Sequence, residues 1–302
     1  MVNRILVLPL LGASCLGFLL VHPAVLHRVH EQNETPLAVA VSILPQKYFV
    51  ERIAGAHASV LVLVGPGRSP ATFEPTPRQM TQLARARIYF RIGVPFERVW
   101  ADRFRAVNPS MRQVDTHAGI RLRRLDSDRV LDRSDEHAGV ADPHIWVDPI
   151  LMKVVARHIL DAMVEADPQR REAYEANHSA LVSDLDLLDV EIREVLDRVR
   201  SRTFIAYHSA WGYFADRYNL NQIVIESEGK EPGAKALAEI VRLSVAEAVK
   251  VVVVQQQFSV RSARTVADAI GADVLQLDPL AEDWLTNMRH VAQSLYLALE
   301  SG

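Results

Sequence analysis

Cysteine is almost missing from this chain. Cys15 is the one cysteine in 302 residues, and it lies inside an apolar N-terminal run. Everything after it can form no internal disulfide, so packing and hydrogen bonds must hold the fold. A basic stripe is missing too. Lys and Arg number 34 against 37 Asp and Glu, a formal net charge of −3, which excludes the electrostatic footprint of a nucleic-acid binder. There is no long low-complexity segment and no short-period repeat, so neither a compositional tail nor a repeat array is expected. What remains is a chain 49% hydrophobic and 24% charged. Its length supports a buried core divided into two lobes.

The stretch Ile5 to Val25 is apolar, preceded by Arg4 and broken by Pro9 and Pro23. It reads as a secretory signal or an uncleaved membrane anchor. A buried helix is the competing reading, but such helices are usually amphipathic. Export is therefore expected, to the periplasm or the outer side of the cytoplasmic membrane. Leu11-Gly12-Ala13-Ser14-Cys15 resembles a lipidation site, with the leucine one place too far from the cysteine. His22, His27 and His30 then read as a solvated tether, or as one that collects metal ions.

From Leu37 the pattern alternates between strand and helix. Strands are expected at Leu37–Ile43, Ser59–Val64, Ile88–Ile92 and Arg112–Asp115, with helical spacing over Gln46–Ala54 and Arg78–Arg85. The second half repeats the layout. Its strands are expected at Thr203–Tyr207, Gln222–Ile225, Lys250–Gln255 and Ala272–Leu277, with helices at Ala234–Leu243 and Ser262–Ile270. Such alternation implies mostly parallel sheets with helices on both faces. Between the halves, Tyr174, Leu181, Leu185, Leu188, Ile192, Val195 and Val199 form one apolar stripe. It predicts a helix across Gln169–Arg200 of about 45 Å at 1.5 Å per residue. A stiff spacer packed across both lobes is preferred to a coiled-coil seam, because the stripe is short and flanked by α/β units. The organisation expected is a signal and tether over 1–34, an N-terminal lobe over 35–168, a linking helix over 169–201 and a C-terminal lobe over 202–302. The polar segment Gly119–Val140, which contains His137, reads as a surface loop.

Two expected strands end in metal-competent side chains. Thr203–Tyr207 runs into His208, and Val274–Leu277 runs into Asp278. In open α/β sheets, ligands bind at the carboxyl ends of strands. A third such side chain, His144, sits in Asp142-Pro143-His144-Ile145-Trp146, just ahead of a helix. Two imidazoles and a carboxylate suit Zn²⁺ and neighbouring divalent ions. Each has a plainer reading: His144 as a helix cap, His208 as a core histidine and Asp278 as the opening of an Asp-Pro turn.

Six signatures run collinearly from Leu37 to the C-terminus. They are Ser42-Ile43-Leu44-Pro45-Gln46, Phe73-Glu74-Pro75-Thr76-Pro77, Asp142–Trp146, Tyr207-His208-Ser209-Ala210-Trp211-Gly212, Gln257-Phe258-Ser259 and Leu277-Asp278-Pro279-Leu280. Together they resemble the zinc/manganese-type solute-binding proteins of bacterial ABC importers, a group that includes adhesion-associated lipoproteins. The resemblance implies two pseudo-symmetric α/β lobes joined by one long rigid helix, with a metal held between them and passed to a membrane permease. It implies a monomer and no catalysis. Carried onto this chain, it implies His144, His208 and Asp278 as ligands, with zinc favoured over Mn²⁺ because His208 stands where manganese-type relatives carry glutamate. The family's remaining ligand, a His before Thr-Phe-Glu-Pro, is here Ala71. Glu74 and His137 are candidates to fill that gap, and Lys230 and Glu231 match the family in a structural role.

Two other functions stay open at this point. An altered site could take a different or chelated metal. A zinc hydrolase would use the same three side chains around an open water position, with Glu74 as base.

Overall fold

The computed structural model describes residues 35–125, 129–130, 141–226 and 233–300. The N-terminal apolar run with Cys15, the three tether histidines, His137, Lys230 and Glu231 lie outside those residues. No helix among the described residues is long and apolar enough to cross a membrane.

The chain from Thr35 on builds two parallel sheets. The first contains β1 (Leu37–Ile43), β2 (Ala58–Val64), β3 (Ile88–Arg91) and β4 (Arg112–Asp115), in the order β2-β1-β3-β4. The second contains β5 (Arg129–Val130), β6 (Thr203–Ala206), β7 (Asn221–Val224), β8 (Val251–Val254) and β9 (Asp273–Gln276), in the order β5-β7-β6-β8-β9. With β5 set aside, the second sheet repeats the first strand for strand, and every pairing in both is parallel. This is the two-lobe pseudo-symmetry that the alternating pattern implies. The difference is β5. Its two residues fall in the segment expected to be loop, and a two-residue strand flanked by charges carries no periodic signal.

Helices connect the strands: α1 (Leu44–Ala54), α2 (Pro77–Leu83), α3 (Pro95–Val107), α4 (Pro149–Ala166), α5 (Arg171–Leu196), α6 (Gly212–Arg217), α7 (Ala234–Ala246), α8 (Val260–Ile270) and α9 (Trp284–Glu300). Prolines open α2, α3 and α4, where a first-turn N–H needs no partner. Thr76 caps α2 in a reciprocal bond with Gln79, and the Asp148 carboxylate caps α4 through Ile150 and Leu151. Gly271 ends α8 at φ 67°, a left-handed conformation that costs glycine little.

The spacer helix is α5. Its 26 residues span roughly 39 Å. Tyr174, Leu181, Leu185, Leu188 and Ile192 are buried as the stripe predicts, and Leu196 joins them. That face packs on α1, α4 and α9, so the stripe is filled from within the chain. A single hydrophobic core runs from Val39 and Phe90 in the first sheet, through α5, to Phe204, Val251 and Val253 in the second. The alternate residues Ile205, Val252 and Val254 face a smaller core under α7 and α8. Both faces of β6 and β8 are therefore buried, which is why they read as unbroken apolar runs.

A buried polar cluster lies at the carboxyl ends of β1 and β3, where the strand order reverses. Glu97 accepts hydrogen bonds from Ser42 Oγ at 2.5 Å, Ile92 N at 2.9 Å and Gly93 N at 2.8 Å. Gln46 accepts from Ser42 N at 3.0 Å and donates to the Phe90 carbonyl at 3.1 Å. Burial raises the Glu97 carboxyl to about 7 despite those three donors. The folded state thus binds this proton more tightly than the unfolded chain. The stabilisation is complete below about 4.5 and is lost as pH climbs toward about 7. Wild-type stability should fall over that window by on the order of 3 kcal/mol from this group. Glu97→Gln should flatten the fall, as read by urea unfolding on either side of the window.

Candidate metal centre

His144 is the last residue before a short 3-10 turn, Ile145–Val147, that leads into α4. Its ring is fixed by Asp142. One oxygen, Asp142 Oδ1, accepts both the His144 backbone N–H at 2.9 Å and the Nδ1 contact at 2.7 Å. A carboxylate only accepts, so Nδ1 carries a proton, and in the neutral ring the lone pair is then on Nε2. Asp142 is wholly buried. Its other oxygen, Oδ2, has no hydrogen-bond partner among the described residues and lies 3.6 Å from Arg123 Nη1.

This loop is tied to α6 of the second lobe. Tyr213 donates from its hydroxyl to the Asp142 carbonyl at 2.8 Å and accepts the Arg123 backbone N–H at 2.8 Å. Arg123 Nε also meets Asp216 at 2.7 Å. Arg217 grips the capping carboxylate of Asp148 at 2.9–3.1 Å.

His208 follows β6 at its carboxyl end, beside the β6/β8 reversal of strand order. Its carbonyl accepts from Gln255 Nε2 at 3.3 Å, and its ring stacks on Phe258 at 5.0 Å and 27°. Its Nδ1 lies 3.2 Å from Glu226 Oε2. The His144 and His208 rings meet edge to face, with centroids 5.2 Å apart.

Asp278 follows β9. Its Oδ1 accepts from Leu280 N at 2.9 Å, and its carbonyl accepts from Asn287 at 2.7 Å. Burial pushes its carboxyl above the usual carboxylate range, against the pull of the Leu280 bond. The next residue links this loop to His144: Trp146 Nε1 donates to the Pro279 carbonyl at 2.9 Å, and Trp284 Nε1 donates to the Trp146 carbonyl at 2.7 Å. Trp146 also lies 5.0 Å from the His144 ring.

The two histidines are thus brought together, with the Asp278 loop stapled to the His144 turn. Among the described residues, no three His, Cys, Asp or Glu side chains are gathered into a group that could hold a metal ion. Ala71 and Glu74 are solvent-exposed on the loop between β2 and α2. Asp142 and Glu226, the carboxylates behind the two imidazoles, went unread in the sequence. The available signal was positional: Asp142 precedes His144 by two residues, and Glu226 directly follows the expected strand Gln222–Ile225.

Two parallel α/β lobes on a shared helix, with paired imidazoles at strand and helix ends, define a metal-type solute-binding protein. The match to known proteins is specific. The chain belongs to the ZnuA family, the periplasmic component A of zinc-uptake complexes, whose family model matches residues 39–298. The high-affinity zinc uptake system protein ZnuA of Bacillus subtilis is 29% identical over 256 residues, covering 81% of this chain and 78% of the relative. A crystal structure of ZnuA superposes with a TM-score of 0.81 at 39% identity, covering 87% of this chain and 99% of the other. A ZnuA deletion mutant with zinc bound gives a TM-score of 0.82 at 38% identity, over 89% and 100% of the chains.

The closeness of this packing is testable at Gly212. A Cβ there would overlap Arg123 Nη1, so a side chain must push the tip of that guanidinium aside from Asp142. Because the displaced atoms are the end of a flexible side chain, Gly212→Ala should cost about 1 kcal/mol, the low end of the range for overpacking, seen as a slightly lower urea midpoint with an unchanged slope.

Proposed function

We propose that this chain captures a divalent transition metal, zinc in the first instance, outside the cytoplasmic membrane and delivers it to an ABC permease. The observation that carries the reading is the His144–His208 pair. The rings stand 5.2 Å apart. Two imidazoles sharing one zinc at 2.0–2.1 Å in tetrahedral geometry have centroids roughly 5 Å apart. His144 turns its Nδ1 to a buried carboxylate, which leaves Nε2 for a metal. Asp278 is the third proposed ligand. A cation beside it would offset the burial that now favours its neutral form. The lobes are proposed to divide at 35–168 and 202–302 about the linking helix. Anchoring by the N-terminal segment and a monomeric state belong to the same reading.

An altered ligand set is the second reading, and Ala71 favours it. Alanine supplies no donor where the family has His, so a water, another side chain or a small chelator would complete the shell. Mn²⁺ belongs with this reading. The hydrolase reading loses its ground, since the family is one of transport components.

His144→Ala and His208→Ala should each abolish tight zinc binding, measured by chelator competition, while leaving the fold intact by circular dichroism. Ala71→His should tighten it. Binding should weaken as pH falls, because protons compete for the imidazole nitrogens. Zinc affinity unchanged in both single alanine variants would overturn the assignment.

A further inference from the structure

The two imidazoles are backed by carboxylates of unequal grip. At His144, Asp142 Oδ1 takes two bonds from the same residue, backbone and ring, and Tyr213 holds the Asp142 carbonyl. That ring has one place to be. At His208 the backbone is equally well held. Gln255 binds its carbonyl, and Glu226 N donates to the Tyr207 carbonyl at 2.9 Å. The ring contact, however, is incomplete. Glu226 Oε2 comes within 3.2 Å of Nδ1, yet this buried oxygen makes no aligned hydrogen bond among the described residues. Glu226 is only 8% exposed. An unsatisfied buried carboxylate oxygen is costly, and in a folded protein it needs a reason.

We propose that Glu226 is the positioning residue for His208. It selects the tautomer that protonates Nδ1 and leaves Nε2 free. A small rotation of the imidazole against the Phe258 ring then completes the Nδ1–H···Oε2 bond as a metal arrives. The 3.2 Å contact already favours a proton on Nδ1 in the metal-free protein, and metal on Nε2 polarises that Nδ1–H, so the contact tightens into an aligned bond in the loaded state. His144 is the preformed arm of the site and His208 the adjustable one. This rests on the proposed metal capture, but its first test does not.

The test begins on metal-free protein with ¹⁵N-labelled histidine, above the imidazole titration range. Wild type should show His208 in a single tautomer with Nδ1 protonated. Glu226→Leu removes the acceptor while filling the volume; because it takes away one partner of a buried pair it lowers stability, so circular dichroism first confirms that the variant is folded. It should leave His208 as a tautomer mixture and His144 unchanged. Glu226→Gln keeps a carbonyl acceptor and should retain the wild-type tautomer. Zinc affinity, measured next, should drop 10- to 100-fold in Glu226→Leu, the usual effect of losing the partner behind a ligating histidine, and less in Glu226→Gln. An unshifted His208 tautomer in Glu226→Leu would overturn the proposal. A shifted tautomer with zinc affinity within twofold of wild type would overturn its link to capture. If wild type holds no zinc, the proposed function fails, and the tautomer result still decides what Glu226 does.

Discussion

The indole of Trp146 ties together parts of the chain that are far apart in sequence. Its N–H binds the Pro279 carbonyl of the Asp278 loop, and its own carbonyl receives the indole N–H of Trp284 at the start of α9. Trp284 in turn packs edge-on against Phe49 of α1 at 5.1 Å. One residue beside His144 thereby fixes the loop after β9 against the helix after β1. Both indole N–H groups are satisfied inside the core, which makes these buried tryptophans stabilising rather than costly.

The same continuity governs motion. A binding protein that closes like a jaw needs lobes with separate cores and a few hinge residues. Here α5 buries one face against helices of both halves, and one core spans the two sheets. Large rotations would expose that core. The freedom left for loading and release lies in side chains and in the loops at strand ends. The two strand-order reversals divide the work. The one in the first sheet is sealed by Ser42, Gln46 and Glu97, whose hydrogen bonds are mutual. The one in the second sheet presents His208 and carries the loosely held Glu226.

Much of this was legible in the sequence because burial on both sheet faces leaves apolar runs with clear ends. β1 and β4 fall where the pattern puts them, and the other expected strands fall within a residue or so at each end. The stripe on α5 was legible because only one face of that helix is buried. β5 was not, since a two-residue strand has no period to read. The site divides the same way. His144 and His208 stand at element ends marked by Asp-Pro and by the close of an apolar run. Asp142 and Glu226 are charged residues at strand and loop ends, as countless surface residues are. Only three-dimensional packing shows that these two are buried and that each faces an imidazole.

The short strand β5 has one more consequence. It lies at the outer edge of the second sheet, paired with β7 through Arg129–Ile223 and Val130–Val224, yet it belongs to the first half of the chain. The symmetry of the two sheets suggests a molecule made of two interchangeable modules, but the covalent order does not divide that way. A gene cut within α5 would yield a second half whose β7 edge is unpaired at Ile223 and Val224, an exposed apolar template for intermolecular pairing. The first half would carry an orphan strand and one side of a helix interface. The repeated architecture is therefore not modular: the halves are interlocked, and an assembly of separately made pieces would have to solve an aggregation problem that the single chain avoids.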